Sequence, residues 1–164
     1  MALTRLRQLV MTVLGYLRDA MWLPILLARL VVGVEFLLSG KGKLGSLDDL
    51  ISSFESWGIP LAHVQAPFVA TIELVGGLCL VLGLGSRIFS ALLTGVMSVA
   101  ILVTMTQEGV TILPHDTLAN ILYLPEVGFL VIFVWLVFSG PGKISCDHII
   151  AFKLGLTSVV SPER

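Results

Sequence analysis

An apolar run over residues 22–44, WLPILLARLVVGVEFLLSGKGKL, constrains the fold more than any other stretch of the sequence. As a helix it is long enough to cross the roughly 30 Å hydrocarbon core of a bilayer. Only Arg29 and Glu35 interrupt its apolar pattern between Leu23 and Leu38, whereas a helix on a soluble protein shows polar residues on every turn. The run therefore predicts a transmembrane helix with ionisable groups at depth, which need a partner or a function because they are costly in lipid.

The composition extends this conclusion to the whole chain. Of the 164 residues, 56% are hydrophobic and 13% are charged, and the mean hydropathy is +0.99. Soluble domains carry about 25% charged residues, so this composition is typical of an integral membrane protein. At roughly 20 residues per crossing, the length suits four spans. We predict an all-α, up-down-up-down membrane four-helix bundle over residues 22–140, with spans at about 22–39, 67–84, 88–105 and 118–138.

An amphipathic segment precedes the first span. Apolar residues recur at helical spacing between Leu3 and Leu17, opposite the arginines Arg5, Arg7 and Arg18. This pattern is typical of a helix that lies in the headgroup plane. We predict such an amphipathic N-terminal helix within residues 1–21, and a disordered basic tail is the alternative.

The first span is expected to end at the glycine and lysine cluster over residues 40–43, and a polar connection follows. Within that connection, residues 46–57 place their apolar side chains at helical spacing before Gly58 and Pro60 end the pattern. This predicts a short extracytoplasmic cap helix across the mouth of the bundle. Residues 141–164, after the fourth span, are predicted to form a cytoplasmic tail.

The basic residues orient the bundle. Four spans place both termini on one side, which carries seven basic residues, whereas the other side carries only Lys41 and Lys43. Because basic residues accumulate on the cytoplasmic side, both termini are predicted to be cytoplasmic. The seven residues are Arg5, Arg7, Arg18, Arg87, Lys143, Lys153 and Arg164.

Three glutamates from different spans form the candidate catalytic site. Glu35 lies near the predicted outer end of the first span, and Glu73 and Glu126 lie a few residues inside the second and fourth. At about 1.5 Å per residue, all three are expected about 5–12 Å below the outer surface. They cannot all stay ionised there without a counter-charge, a proton or a ligand. A proton-transfer or ligand-binding layer is one interpretation, and a purely structural hydrogen-bonded network is the other.

Four basic side chains are the candidates for cofactor binding near this layer. Arg29 and Lys43 offer counter-charge to the carboxylates, as does Lys41, and His63 and His115 lie in the two outer connections. Carboxylates and histidines in a four-helix bundle are typical of di-metal proteins, but the Glu-x-x-His spacing of that class is absent. We therefore predict no metal site.

Several function classes are not supported by the sequence. Cys79 and Cys146 are far apart and form no CxxC, so neither a disulfide framework nor a dithiol centre is expected. A net charge of −1 offers no basic field for nucleic acid. Residues 1–19 lack the long apolar region and cleavage site of a signal peptide, so none is expected.

Four segments in order together resemble the DoxX family of small bacterial membrane proteins. They are RLVVGVEFLLSGKGKL, GIP, ELVGGLCLVLGLGSRIFSALLTGVM and GPGKISCD, and they extend over roughly residues 27–147. The resemblance implies a four-span protein of the bacterial inner (plasma) membrane, of a family linked to membrane oxidoreductase complexes that include thiosulfate:quinone oxidoreductase. The residues that match the family motifs are Arg29, Gly33, Phe36, Gly40, Lys43, Glu73, Gly77, Gly83, Arg87, Gly140, Gly142, Ser145 and Asp147.

Three functions remain open from the sequence. The first is a quinone-interacting subunit of a membrane oxidoreductase, not autonomous as an enzyme, because the chain has no haem, iron–sulfur or dinucleotide motif. It implies quinone as the cofactor and a partner protein or a homo-oligomer within the bilayer. The second is a scaffold that docks a partner either on its outer cap, residues 46–60, or on its basic cytoplasmic face. The third is a small-solute carrier, which four short spans accommodate only as an oligomer.

Overall fold

A computed structural model of the chain describes residues 2–107 and 121–154. These residues are helical apart from short turns, and residues 121–123 are also in helical conformation. The prediction of an all-α fold is confirmed. The helices with described bounds are α1 (Ala2–Asp19), α2 (Trp22–Gly45), α3 (Leu47–Ser56), α4 (Ala62–Leu82), α5 (Ser86–Gln107), α6 (Pro125–Ser139) and α7 (Cys146–Lys153).

Four of these helices form a membrane bundle. Helices α2, α4 and α5 are each long and apolar enough to cross a bilayer, and α6 is a shorter apolar helix of 15 residues. Helix α4 contacts both α2 and α5, and α6 closes the ring by contacting α5 and α2. Successive helices run in opposite directions around this ring. The chain is therefore a multi-pass integral membrane helical bundle.

The centre of the bundle is an apolar core to which all four helices contribute. Phe36 of α2 lies edge-on against Phe129 and Phe133 of α6, with ring centroids 5.3 and 4.9 Å apart. Edge-to-face contacts of this kind add to the stabilisation that close packing provides. The buried members of this core are Val32, Phe36, Leu80, Leu93, Met97, Phe133 and Leu136.

The expectation that residues 40–43 end the first helix is wrong, because α2 continues to Gly45. Gly40 is buried against α4, where an added Cβ would overlap the backbone of Leu74. At Gly77 of α4 an added Cβ would overlap the backbone of Leu37 in the same way. Small residues let two membrane helices approach closely, so the glycines extend the contact between α2 and α4 instead of breaking the helix.

Helix α4 begins at Ala62, five residues before the predicted start of the second span, so Pro67 lies inside a helix. Its first turns extend beyond the end of α2 and are covered by α3, the predicted cap helix. Phe54 of α3 is buried there with Ala62 and Ala66 of α4. We call this the α3 end of the bundle, and we call the opposite end, where residues 140–153 lie, the α7 end.

Candidate functional site

A buried ion pair at the α3 end is the clearest candidate site. The side chain of Glu73 is 1% exposed, and Lys43 Nζ lies 2.5 Å from its Oε1 and 2.7 Å from its Oε2. The Ser39 hydroxyl donates to Glu73 Oε2 at 3.0 Å. Ser39 and Lys43 are four residues apart on α2 and therefore reach across to α4 from the same face of the helix. Both carboxylate oxygens of Glu73 are thus bound by donors from a single neighbouring helix.

Lys43 connects this buried carboxylate to the surface. Its side chain is 35% exposed, whereas that of its partner is almost fully enclosed. Lys43 lies in the last turn of α2, and Glu73 lies in the middle of α4, whose first turns extend beyond α2 under α3. The pair therefore lies at the boundary between the apolar core and the α3 end, with the ammonium group on the outer side.

Glu126 lies at a similar depth on α6. Phe36 contacts Phe129 and Phe133, and α6 runs antiparallel to α2, so Glu126 falls about five residues beyond Phe36 along α2. That level is close to Gly40, between the two residues that bind Glu73. One carboxylate oxygen of Glu126, Oε2, is buried and has no hydrogen-bond partner among residues 2–107 and 121–154. By this register Glu126 lies near the depth of Glu73, and their common layer stays a prediction.

Glu35 is not part of this layer. It is exposed on the outer side of α2, where its neighbours Val31 and Leu38 are 66% and 60% exposed. Gly33, two residues earlier, faces α4, and a step of two residues turns a helix by about 200°. Glu35 consequently points away from α4 and from Glu73. The predicted depth of Glu35 is too close to the α3 end, because α2 extends further than expected, to Gly45.

Arg29 lies at the α7 end, well separated from the carboxylate layer. It is 2% exposed, and its Nε donates to Leu80 O at 2.7 Å while Nη2 donates to Val81 O at 3.4 Å. Its Nη1 donates to Pro141 O. The guanidinium group thus joins the carboxyl end of α4 to the segment after α6. Lys43, and not Arg29, is the counter-charge of Glu73.

Of the two histidine candidates, only His63 lies in the described part of the chain. His63 is exposed at the start of α4, with Nε2 3.3 Å from Oε1 of Glu55, and it lies ten residues before Glu73 in the sequence. It therefore belongs to the surface of the α3 end. His115 lies outside the described residues. Among the described residues no group of histidine, cysteine and carboxylate side chains is arranged to hold a metal ion.

The residue pattern predicted no role for Asp147. In the structure it lies where the start of α7 meets the turn between α4 and α5. Its carboxylate accepts hydrogen bonds from the backbone N–H groups of Gly85 and Ser86, at 2.8 and 3.2 Å. Gly85 directly precedes α5 and Ser86 is its first residue, so neither N–H group has a partner within the helix. A carboxylate there also complements the helix dipole. The backbone N–H of Asp147 donates to Gly83 O at 3.0 Å. Only its place in the closing motif, GPGKISCD, pointed to it.

The fold and the buried pair define a small multi-pass helical membrane protein with an internal carboxylate site. Its family follows from comparison: residues 24–106, half of the chain, match the DoxX family model, and the chain belongs to that family. A Bacillus subtilis (strain 168) protein named "Putative oxidoreductase CatD" is 36% identical over 67 residues, 41% of this chain and 48% of that protein. The chain therefore matches about half the length of this relative. No solved structure matches the chain significantly.

Proposed function

We propose that this protein is a membrane subunit of a quinone-linked oxidoreductase system and that the Glu73 site binds quinone and passes protons. The family membership and the name of the Bacillus subtilis relative support the oxidoreductase class. The observation that carries the finer proposal is the buried Glu73 carboxylate, bound by Ser39 and by the partly exposed Lys43. A protonatable group that connects an apolar interior to the surface is what quinone chemistry requires at a membrane site.

The residues of the site suit both forms of a quinone. A quinone carbonyl accepts hydrogen bonds, and Lys43 Nζ and Ser39 Oγ are donors at one level of α2. A quinol hydroxyl donates, and the carboxylates of Glu73 and Glu126 are acceptors in the same layer. Reduction of quinone to quinol takes two electrons and two protons. In this proposal the protons pass through Glu73 by general acid catalysis, with Lys43 as the connection to water.

The electrons must come from another protein. The sequence has no haem, iron–sulfur or dinucleotide motif, so the chain supplies the quinone site and the partner supplies the redox centre. We propose that the protein functions in the bacterial plasma membrane with both termini cytoplasmic, on the basis of its basic residues. Labelling of a cysteine introduced at Asp49 on α3 by an impermeant reagent outside intact cells tests this orientation. Labelling only after lysis would reverse it.

Quinone retention by the purified protein tests the binding proposal. Full-length protein in lipid nanodiscs is incubated with a short-chain quinone, separated from free quinone and extracted for quantification. We expect near-stoichiometric retention by the wild type and a loss of about tenfold or more in Glu73→Gln and Lys43→Ala, because each removes a charged group that contacts the ligand.

Glu35→Gln is the matched control for this experiment. It makes the same chemical change at an exposed carboxyl group outside the layer, so retention should equal that of the wild type. Wild-type protein that retains no quinone contradicts the proposal. So does a loss of the same size in Glu35→Gln and Glu73→Gln.

A scaffold function is the second candidate, and the exposed face of α3 favours it. Phe54 is buried against α4, whereas Asp48, Asp49 and Glu55 on the same short helix are exposed. This acidic face complements a basic partner surface. Under this function Glu73→Gln and Glu126→Gln leave partner capture intact while Asp48→Asn with Asp49→Asn abolishes it. Under the quinone function, Glu73→Gln and Glu126→Gln abolish turnover with the partner, while Asp48→Asn with Asp49→Asn leaves turnover intact.

A further inference from the structure

Glu35 presents a carboxyl group on the lipid-facing side of a membrane helix. It is exposed and lies about 15–20 Å from either end of α2, near the middle of the span. Its carboxyl group has no hydrogen bond or ion pair within the described part of the chain. Carboxylates in membrane helices almost always face a protein interior or pair with a polar group, because lipid offers them no partner. Residues 2–107 and 121–154 supply no such partner, and a neighbouring molecule in the membrane can supply one.

A complementary donor lies on the neighbouring helix. Trp135 of α6 is 39% exposed, between Val131 and Phe138, which are 60% and 79% exposed. Its indole N–H is a donor only, and no hydrogen bond from it exists among the described residues. Phe36, next to Glu35, contacts α6 at Phe129 and Phe133. By that register Glu35 and Trp135 differ in depth by only about 5 Å, within the reach of the two side chains.

We propose that this outer face of α2 and α6 is the interface of a homodimer in the membrane. A two-fold axis along the membrane normal places the same face of both copies together. Glu35 of each copy then accepts a hydrogen bond from the Trp135 indole of the other, so that one symmetric contact satisfies all four groups. The surrounding residues Val31, Leu38, Val131 and Phe138 supply the apolar contact around the two bonds.

The second copy is favoured over other occupants by this complementarity. Lipid chains cover the apolar part of the face but leave both polar groups without partners. The chain itself presents the acceptor and the donor on adjacent helices at nearly equal depth, and a two-fold axis pairs them twice. The interface uses neither the Glu73 site nor the acidic face of α3, so it is independent of the proposed function.

Disulfide cross-linking locates the interface. Copies of the full-length protein with Cys79→Ala, Cys146→Ala and Leu38→Cys are mixed with copies that carry Val131→Cys instead, because α2 of one copy lies opposite α6 of the other, and the mixture is oxidised in liposomes at high dilution. In the control mixture Leu92→Cys on α5 replaces Leu38→Cys. Leu92 is 43% exposed and lies near the depth of Leu38, because Gly77 contacts Leu37 and Gly76 contacts Leu93. We expect a disulfide-linked dimer only from the mixture that contains Leu38→Cys and Val131→Cys. Efficient cross-linking at Leu92, or at neither position, overturns the proposal.

Dimer dissociation measured by fluorescence energy transfer between labelled copies tests the polar contact. We expect Glu35→Leu and Trp135→Phe each to raise the dissociation constant roughly tenfold or more, since each removes two hydrogen bonds per dimer. The double variant should lose little more than either single variant, because both remove the same bonds. Unchanged thermal unfolding of each variant excludes misfolding. Full additivity, or a Glu35→Leu dimer as tight as the wild type, overturns the pairing.

Discussion

Lys43 and Glu73 form an ion pair that the sequence alone could not single out. The sequence placed Glu73 at depth because it is the only charge in its apolar segment, but it offered three possible counter-charges: Arg29, Lys41 and Lys43. The choice depended on whether α2 continues past Gly40. Only a continued helix places Ser39 and Lys43 on one face toward α4. That continuation comes from tertiary contact, which overrides the low helix propensity of glycine.

Removal of Lys43 should destabilise the bundle more than its partial exposure indicates. Lys43→Ala leaves the Glu73 carboxylate buried with only the Ser39 hydroxyl as donor, and an unsatisfied buried group costs about 1–3 kcal/mol or more when charged. We expect the free energy of unfolding in detergent micelles to fall by about that amount. Glu73→Gln in the Lys43→Ala background should restore part of it, because the neutral amide still bonds to Ser39.

The control for this prediction is Lys41→Ala on the exposed side of the same helix. Its removal should change the free energy of unfolding by less than about 0.5 kcal/mol. Equal effects of Lys41→Ala and Lys43→Ala would mean that the pair with Glu73 contributes no net stabilisation.

At the scale of the helices, the contact between α2 and α4 depends on glycines at the points of closest approach. A methyl group at Gly40 meets the backbone of Leu74, which cannot move away as a flexible side chain does. We expect Gly40→Ala to lower the free energy of unfolding by about 1–3 kcal/mol, the usual effect of overpacking. It should also separate Lys43 from Glu73, one helical turn away, and so weaken quinone retention.

Gly42→Ala on the same helix isolates this steric effect. No atom lies within 4 Å of an added Cβ at Gly42, so alanine there only improves helix propensity. The free energy of unfolding of Gly42→Ala should stay level or rise by up to about 1 kcal/mol. If Gly40→Ala changes the free energy of unfolding no more than Gly42→Ala does, α2 does not approach α4 as closely as described.

We interpret α1 as a helix that lies on the bilayer surface. Leu6, Leu9 and Val13 are 62%, 63% and 46% exposed on one side, and Arg5 and Arg7 flank that side. Only two residues separate α1 from α2, so α1 lies at the membrane boundary. With nitroxide labels in anionic liposomes, we expect a label at Leu6 to be accessible to oxygen and a label at Gln8, on the opposite side of the helix, to a polar nickel reagent. Equal accessibility to the nickel reagent at both positions would contradict an in-plane helix.

For the molecule as a whole, composition and periodicity were sufficient to predict an all-helical membrane bundle and a cap helix near residues 46–57. The depth of Glu73 and Glu126 is an expectation that the sequence allows, because depth follows from counting residues along a helix. The direction in which Glu35 points from α2 was not predicted, because it depends on which side of α2 meets α4. Nor was the position of Arg29 predicted, because its hydrogen-bond acceptors are backbone carbonyls that carry no signal in the sequence.

The α3 end of the bundle holds the Lys43–Glu73 ion pair, whereas the α7 end holds Arg29. Substitution of Arg29 tests whether its role is structural. At the α7 end its guanidinium group binds the carbonyls of Leu80 and Pro141 at once. A lysine at position 29 has a single ammonium group and cannot span both. We expect Arg29→Lys to lower the free energy of unfolding of quinone-free protein by about 2–4 kcal/mol, because buried carbonyls lose their donors.

The same variant distinguishes a structural role of Arg29 from a cofactor-binding role. Hydrogen exchange should increase at residues 141–153, which lose their link to α4, while exchange at the Lys43 end of α2 stays unchanged. Arg7→Lys on exposed α1 should alter neither quantity. If Arg29 held a cofactor instead, Arg29→Lys would leave the ligand-free protein as stable as the wild type and abolish only quinone retention. Because every nitrogen of the guanidinium group already donates to a backbone carbonyl, we expect the structural outcome.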